Sequence, residues 1–326
     1  MSLFDEEFET DRAGDLLAAA GLRRLQRLPL VGPKTAIRLA ERFSYWERLA
    51  AATYEQLIGV LPRAMHKRAQ EVLNAIPMVG VSRPVPDGVR AIGAFDADWP
   101  DWLRTIQDPP AVIFATGSLP IGGEVAVVGT RNPTRFGVRV VEAVVAEAEK
   151  HGTGIVSGLA LGIDGVAHRS ALANGVKTWA ILGSGVDIPT PREHTDLARE
   201  IVSAGGGILS EQEPGTMPSG RTLVARNRLQ SAAARAVVVA QCGIPSGTLH
   251  TARFALQQGR RLVVPRPHGP WSSENESAGN MALTDPSGCS PAVLQASGAL
   301  NRAIAKRRPV ADLVIHETSE LVRIWE

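Results

Sequence analysis

Six short apolar runs limit what this chain can fold into. They are VAVVG (125–129), GIVSG (154–158), TWAIL (178–182), GGILS (206–210), AVVVA (236–240) and RLVVP (261–265). They are built mostly of β-branched, aliphatic or small residues and close at or near Gly, Ser or Pro, which reads as strand. Between them lie stretches with helical apolar spacing, such as FGVRVVEAVVAEAEK (136–150) and TARFALQQG (251–259). Strands that alternate with helices need crossover connections, and crossovers produce parallel sheets. Near-continuous apolar strands require helices on both faces. The expectation is an α/β fold, a Rossmann-like doubly wound parallel sheet over residues 90–290, with its ligand site at the carboxyl ends of the strands.

The residues ahead of this region follow a different pattern. Residues 1–15 are acidic, 16–76 have helical character, and the Pro- and Gly-bearing stretch 77–89 reads as a linker. LPLVGPKTAIRLAERF (28–43) has the form of a helix-hairpin-helix. A small N-terminal helical domain, helix-hairpin-helix or SAM-like, is therefore expected. Its hairpin backbone at Gly32, with Lys34, is a candidate second contact for nucleic-acid phosphate. The first of the two glycines usual in such a hairpin is replaced by Leu30. From Leu16 to Ile76 ten Lys and Arg face four Glu, a local charge of +6 within a chain whose net charge is only +2. A local basic field of that kind suits a polyanionic partner, although a solvated helix face has the same composition.

The strand ends carry the chemistry. Gly129, Thr130 and Arg131 follow the first run, Ser157, Gly158 and Gly162 the second, and Gly183 and Gly185 the third. The fourth is followed by SEQEPGTMPSG and then Arg226, Asn227 and Arg228, and the fifth by Ser246, Gly247 and Thr248. Gly-, Ser- and Thr-rich turns at helix starts present backbone N–H groups that attract anions. Several along one edge would form a continuous phosphate groove. Arginines strengthen it, because guanidinium binds phosphate through paired hydrogen bonds and stays charged. Pairing of Arg226 or Arg228 with Asp164 or Glu211 is the competing expectation. Asp164 and His168 share a helix face, but no further ligands accompany them, so loop bracing is expected and no metal site.

Other chemistries lack their signatures. There is no G-x-G-x-x-G, Walker sequence, G-x-S-x-G elbow or H-E-x-x-H. Cys242 and Cys289 form no C-x-x-C or disulfide framework. No run of about 18 apolar residues and no signal-peptide core is present, so a reduced, cytoplasmic protein without membrane contact or cofactor is expected.

The ordered set GTR, SGLALGID, LGSGVD, SE, PGT, ARNR, SGTLHTARFALQQGR and VP, with a DWP lead-in at 98–100, resembles the DNA-processing protein A family over about residues 90–290. SAGNMAL (277–283) is similar to a later motif of that family. The resemblance implies an extended Rossmann-like fold, a homodimer, and a binding protein rather than an enzyme. It implies single-stranded DNA as ligand and loading of RecA recombinase in natural transformation. By the same resemblance Arg131 takes a DNA-contact role, as do Arg226 and Arg228. Many members have Phe-Pro before the Arg-Asn-Arg, where this chain has Leu223, Val224 and Ala225, and no complete winged helix of the kind some members carry is expected at the end of the chain. Two other readings use the same cradle. In nucleotide-sugar hydrolases of a related Rossmann-like family, a Gly-Thr pair precedes a catalytic Glu, and that position here is Thr251. A nucleotide-sensing protein would not need the basic N-terminal module.

Overall fold

A computed structural model of the chain describes residues 14–285, Ser287 and residues 310–326. The acidic residues 1–13, Cys289 and the stretch 291–309 lie outside the described residues. The chain divides into two compact units. The first runs to Trp99 and includes Gln107–Phe114; the second holds Pro100–Ile106 and everything from Ala115.

Among the described residues of the first unit, helices α1 (Ala19–Gln26), α2 (Pro33–Phe43), α3 (Trp46–Ala50), α4 (Tyr54–Ile58) and α5 (Ala69–Ala75) precede strand β1 (Arg90–Gly93). Helix α2 starts at a proline, whose missing N–H would have no partner in a first turn anyway. It buries Thr35, Ala36, Leu39, Ala40 and Phe43, one stripe at helical spacing. The hairpin between α1 and α2 holds Leu30 at φ 67°, the left-handed conformation that glycine occupies more cheaply. The substitution noticed in the sequence thus falls on a turn position that still demands the glycine conformation.

The second unit adds α6 (Asp101–Arg104) and the end of β2 (Val112–Gly117), then β3 (Glu124–Gly129), α7 (Arg135–Lys150), β4 (Ile155–Ser157), α8 (Ile163–Ala173) and β5 (Thr178–Leu182). It continues with α9 (Thr195–Ser203), β6 (Gly207–Ser210), α10 (Gly220–Ala233), β7 (Ala234–Gln241), α11 (Thr248–Gln257), β8 (Arg261–Pro265), α12 (Ala278–Thr284) and β9 (Leu313–Ile315). All six apolar runs are strands. Within the second unit the strand order, starting from the end of β2, is β2-β6-β5-β4-β3-β7-β8-β9. The neighbours from β6 through β9 pair in parallel.

Strand alternation sorts the core into two layers. Val125 and Val127 of β3 face a cluster with Phe136, Val140, Val141, Val144 and Val145 of α7 and Ile163 and Ala167 of α8. Ala126 and Val128 face the other way, toward Leu249, Ala252 and Ala255 of α11 and Ala282 and Leu283 of α12. Side chains of adjacent strand residues point to opposite faces, so each strand contributes to both layers.

The chain moves outward from β3 through β4 and β5 to β6, then returns to β7 on the other flank of β3 and moves outward again to β9. The connections after β3 and β7 leave in opposite directions. A crevice opens at such a switch point, at the carboxyl ends of the strands. Residues beyond 290 also enter the sheet: β9 pairs with β8 from Val263↔Leu313 to Pro265↔Ile315. The following turn Thr318–Ile324 buries Leu321 and Ile324. Trp325 stacks on His151 at 4.7 Å and its indole N–H donates to Thr153 Oγ1 at 2.8 Å.

Candidate nucleic-acid interface

The crevice at the switch point is a cavity of about 640 Å³. Gly129, Thr130 and Arg131 line it from the end of β3, Gly158, Ala160, Leu161 and Asp164 from β4 and α8, and Arg226, Asn227 and Gln230 from α10. The β7–α11 loop contributes Gly243 through Thr248. The structure therefore brings together loops that are far apart in sequence, on the edge where the strand pattern placed them.

Glycines permit the close approaches. Gly129 could not carry a Cβ, which would meet Ile163 Cγ1 at 2.5 Å and the Gln241 carbonyl at 2.6 Å. Gly162, at φ 76°, lies against the Thr130 and Arg131 backbone, where a Cβ would come within 2.4 Å of the Thr130 carbonyl. The loop after β4 is further fixed by Asp164, whose Oδ2 accepts the N–H groups of Gly158 at 3.1 Å and Ala160 at 3.3 Å. Asp164 is 6% exposed. Burial raises its pKa, and the Arg226 guanidinium opposes that rise. Leu159, in the same loop, is held at φ 62° with its carbonyl accepting from the His194 ring at 2.8 Å.

Not every expected anion donor is free. The Thr130 N–H donates to the Gln241 carbonyl at 2.7 Å, the Gly158 N–H to Asp164, and the Thr248 N–H to Ser246 Oγ at 3.2 Å. Among the described residues, the N–H groups of Arg131, Ser246 and Gly247 have no acceptor inside the protein. All three line the cavity. Ser246 and Gly247 precede the first turn of α11, so the positive end of its dipole faces the crevice.

The arginines separate into two kinds. Arg131 is exposed, and its guanidinium has no hydrogen bond or ion pair among the described residues. Arg226 is 6% exposed and donates to the carbonyls of Gly158 and Ile181. Burial lowers its pKa, Asp164 raises it, and the nearby charge of Arg131 lowers it further. It forms the floor of the cavity and braces two strand ends. Arg228 corrects the expectation of a phosphate contact: Glu211 holds it through two bonds of 2.7 Å, and the pair is 8% and 10% exposed. The run ARNR lies inside α10, not in a strand-end loop, and Arg228 is outside the cavity lining.

Three other expected contacts are also corrected. Ser157 is fully buried and its hydroxyl donates to the Val127 carbonyl at 2.7 Å. Gly183 and Gly185 lie outside the lining, and both serve close packing. A Cβ on Gly183 would lie 3.0 Å from the Leu223 backbone, and one on Gly185 2.5 Å from Asp187 Oδ1. In the first unit, Gly32 caps α2 in extended conformation, and Lys34 stands 3.8 Å from Asp108 with both side chains largely exposed. His168 does brace the interior: it is fully buried, its Nδ1 lies 2.7 Å from Thr178 Oγ1, and burial pushes its pKa down to about 3. Among the described residues no His, Cys, Asp and Glu cluster could hold a metal, and no helix is long and apolar enough to cross a membrane.

Of two supporting residues, Gln241 escaped the sequence reading and Asn280 entered it only within SAGNMAL. Gln241 closes β7 and ties the β3 loop to Ser277, and Asn280 accepts the Cys242 N–H at 2.7 Å while donating to the carbonyls of Val239, Ala240 and Pro265. Both are fully buried. For Gln241 the available signal was a polar amide at the end of an apolar run, since a buried amide must find partners.

Comparison with known proteins agrees with this geometry. The family model described as DNA recombination-mediator protein A matches residues 90–293. DNA processing protein DprA of Bacillus subtilis is 35% identical over 213 residues, covering 64% of this chain and 66% of that one. A putative DNA processing protein DprA of Mycobacterium tuberculosis is 40% identical over 207 residues, 59% of this chain and 52% of that one. The chain spans between about half and two thirds of the length of the curated relatives it matches. The structure of DNA processing protein A from Streptococcus pneumoniae shares the fold, with a TM-score of 0.65 at 24% identity over 94% of this chain and 97% of that one. DNA processing protein A from Helicobacter pylori, solved for its single-stranded DNA binding mode, has a TM-score of 0.51 at 29% identity over 59% of this chain and 86% of that one. With the family match extending over more than half its length, the chain belongs to the DNA recombination-mediator protein A family.

Proposed function

We propose that this chain binds single-stranded DNA in the crevice between β3 and β7, holding phosphates with Arg131 and the free N–H groups of Arg131, Ser246 and Gly247. The observation that carries the reading is the state of Arg131. It is a cation with no ion pair among the described residues, at a switch-point cavity whose other wall is a helix N-terminus. A charge left unpaired beside aligned N–H donors fits a bound polyanion. The relative from Helicobacter pylori, 29% identical, is described by its single-stranded DNA binding mode, which supports the same ligand here. Gly129, Thr130, Gly158, Gly162, Asn227 and Thr248 shape the cradle, and Arg226 sets its potential from below. Loading of RecA recombinase onto the bound strand, and action as a homodimer, complete the proposal on the strength of the family.

The test is fluorescence anisotropy of a labelled oligothymidylate over a salt series, with wild type and Arg131→Ala. Duplex DNA and ATP serve as competitors. The expected result is salt-dependent binding, weak competition by duplex and ATP, and about tenfold loss of affinity in the variant. Binding of ATP without binding of the oligonucleotide would overturn the proposal and move the nucleotide readings forward.

A further inference from the structure

A second cavity opens on the same carboxyl edge of the sheet, at the ends of β8 and β9. It measures about 430 Å³ and is lined by Phe136, Arg139, Arg266, His268, Trp271 and Leu321, among others. Its aromatic side is ordered: Phe136 and Trp271 lie 5.8 Å apart, and His268 meets Trp271 edge-on at 5.4 Å. Phe136 is buried in the core beneath, whereas Trp271 is half-buried and His268 exposed. Solvent thus reaches an indole and an imidazole on a rigid support.

Two chain segments join this cavity to the crevice. The loop after β3 lines the crevice with Arg131 and then enters α7, whose first two turns supply Phe136 and Arg139 to the second cavity. The segment after β8 supplies Trp271 to the second cavity and Asn275 and Glu276 to the crevice. Arg135 and Arg139 are four apart on α7, so they share a face, and Arg131 precedes them. All three are exposed, and none has an ion pair or side-chain hydrogen bond among the described residues. Two acids beside the second cavity are occupied. Glu317 of the lining caps the turn that follows it, and Asp285 pairs with Arg266 at 3.0 Å.

We propose that this cavity is a nucleobase subsite: a single DNA strand leaving the crevice passes along Arg135 and Arg139 and stacks one base against Trp271 and His268. The inference rests on the single-stranded DNA reading of the crevice. Unpaired cations four residues apart suit successive phosphates, and every base has a π-face that an aromatic platform accepts regardless of sequence. A cavity of this size, apolar within and cationic at the rim, matches one flat heterocycle attached to a charged backbone.

The experiment uses the full chain and two oligothymidylates of about 5 and about 15 nucleotides. Trp271→Ala and Arg139→Glu are each expected to weaken the longer oligonucleotide roughly 5- to 100-fold and the shorter one less than twofold. Trp271→Phe keeps an aromatic surface and should restore most of the affinity. Scanning a single abasic position through the longer oligonucleotide should reveal one site whose removal weakens wild type but not Trp271→Ala. Arg139→Glu changes an exposed residue, so it remains informative if Trp271→Ala unfolds. Equal losses for both lengths, or no loss for either, with Arg131→Ala still weakening both, would overturn the subsite alone. Absence of oligonucleotide binding by wild type would overturn the crevice reading and the subsite with it.

Discussion

Gln241 and Thr134 are joined by two hydrogen bonds across the switch point. The Thr134 N–H donates to Gln241 Oε1 at 2.9 Å, and Gln241 Nε2 donates to Thr134 Oγ1 at 3.0 Å. Thr134 is the residue before α7, and Gln241 is the last residue of β7. The same amide nitrogen donates to Ser277 Oγ at 3.0 Å, so one buried side chain fixes the loop that carries Arg131. Gln241 lies outside the cavity lining and holds the loop that carries Arg131, which makes it a positioning residue. Gln241→Ala removes the bonds and leaves the half-buried Thr134 N–H without its partner, for which about 1–3 kcal/mol of destabilisation is expected. Chemical denaturation would measure that loss. Oligonucleotide affinity at a temperature where the variant is folded should also fall. An unchanged affinity would show that the loop keeps its place without Gln241.

Arg228 and Glu211 should behave as a structural pair. Removing one partner strands the other charge in a site about nine-tenths buried, and about 3–5 kcal/mol of destabilisation is expected for Arg228→Ala or Glu211→Ala. The double variant should be more stable than the sum of the two losses predicts. Urea unfolding of the four proteins makes the comparison. Folded Arg228→Ala should retain DNA affinity, in contrast to Arg131→Ala; a loss as large as that of Arg131→Ala would return Arg228 to the binding surface.

His168 gives a pH signature. Its pKa is lowered from 6.5 to about 3 because burial disfavours the charged ring. Below pH 6.5 the unfolded chain takes up a proton at this site and the folded chain does not. The stability tied to the neutral ring is therefore complete above pH 6.5 and is lost as pH falls toward 3, at up to about 1.4 kcal/mol per pH unit. Urea midpoints between pH 7.5 and 4.5 should fall less steeply for His168→Asn than for wild type. Parallel curves would mean that another group accounts for the acid sensitivity.

Leu30→Gly tests the hairpin of the first unit. Leu30 sits at φ 67° and is 37% exposed, so relief of the left-handed conformation outweighs the small packing loss. A gain of roughly 0.5–1 kcal/mol is expected, after allowance for the greater freedom of glycine in the unfolded chain. Thermal unfolding would show it, and a lower transition temperature would mean that Leu30 packs more than its exposure suggests.

The sequence by itself determined the strands and the edge on which the crevice lies. VAVVG and AVVVA are legible because a parallel sheet covered on both faces needs unbroken apolar runs, and the Gly-rich turns mark where backbones must approach closely. It also placed Arg131 correctly in the turn after the first strand. Only the tertiary structure decided the fate of the other arginines. Arg226, Arg228 and Arg131 have the same chemistry, yet Arg226 meets carbonyls 68 and 45 residues away, Arg228 meets Glu211 17 residues away, and Arg131 meets nothing among the described residues. The same holds for Gln241, whose partner Thr134 is 107 residues distant. Local pattern encodes burial and backbone conformation, but a charge is neutralised or left free by whichever remote group the fold brings beside it.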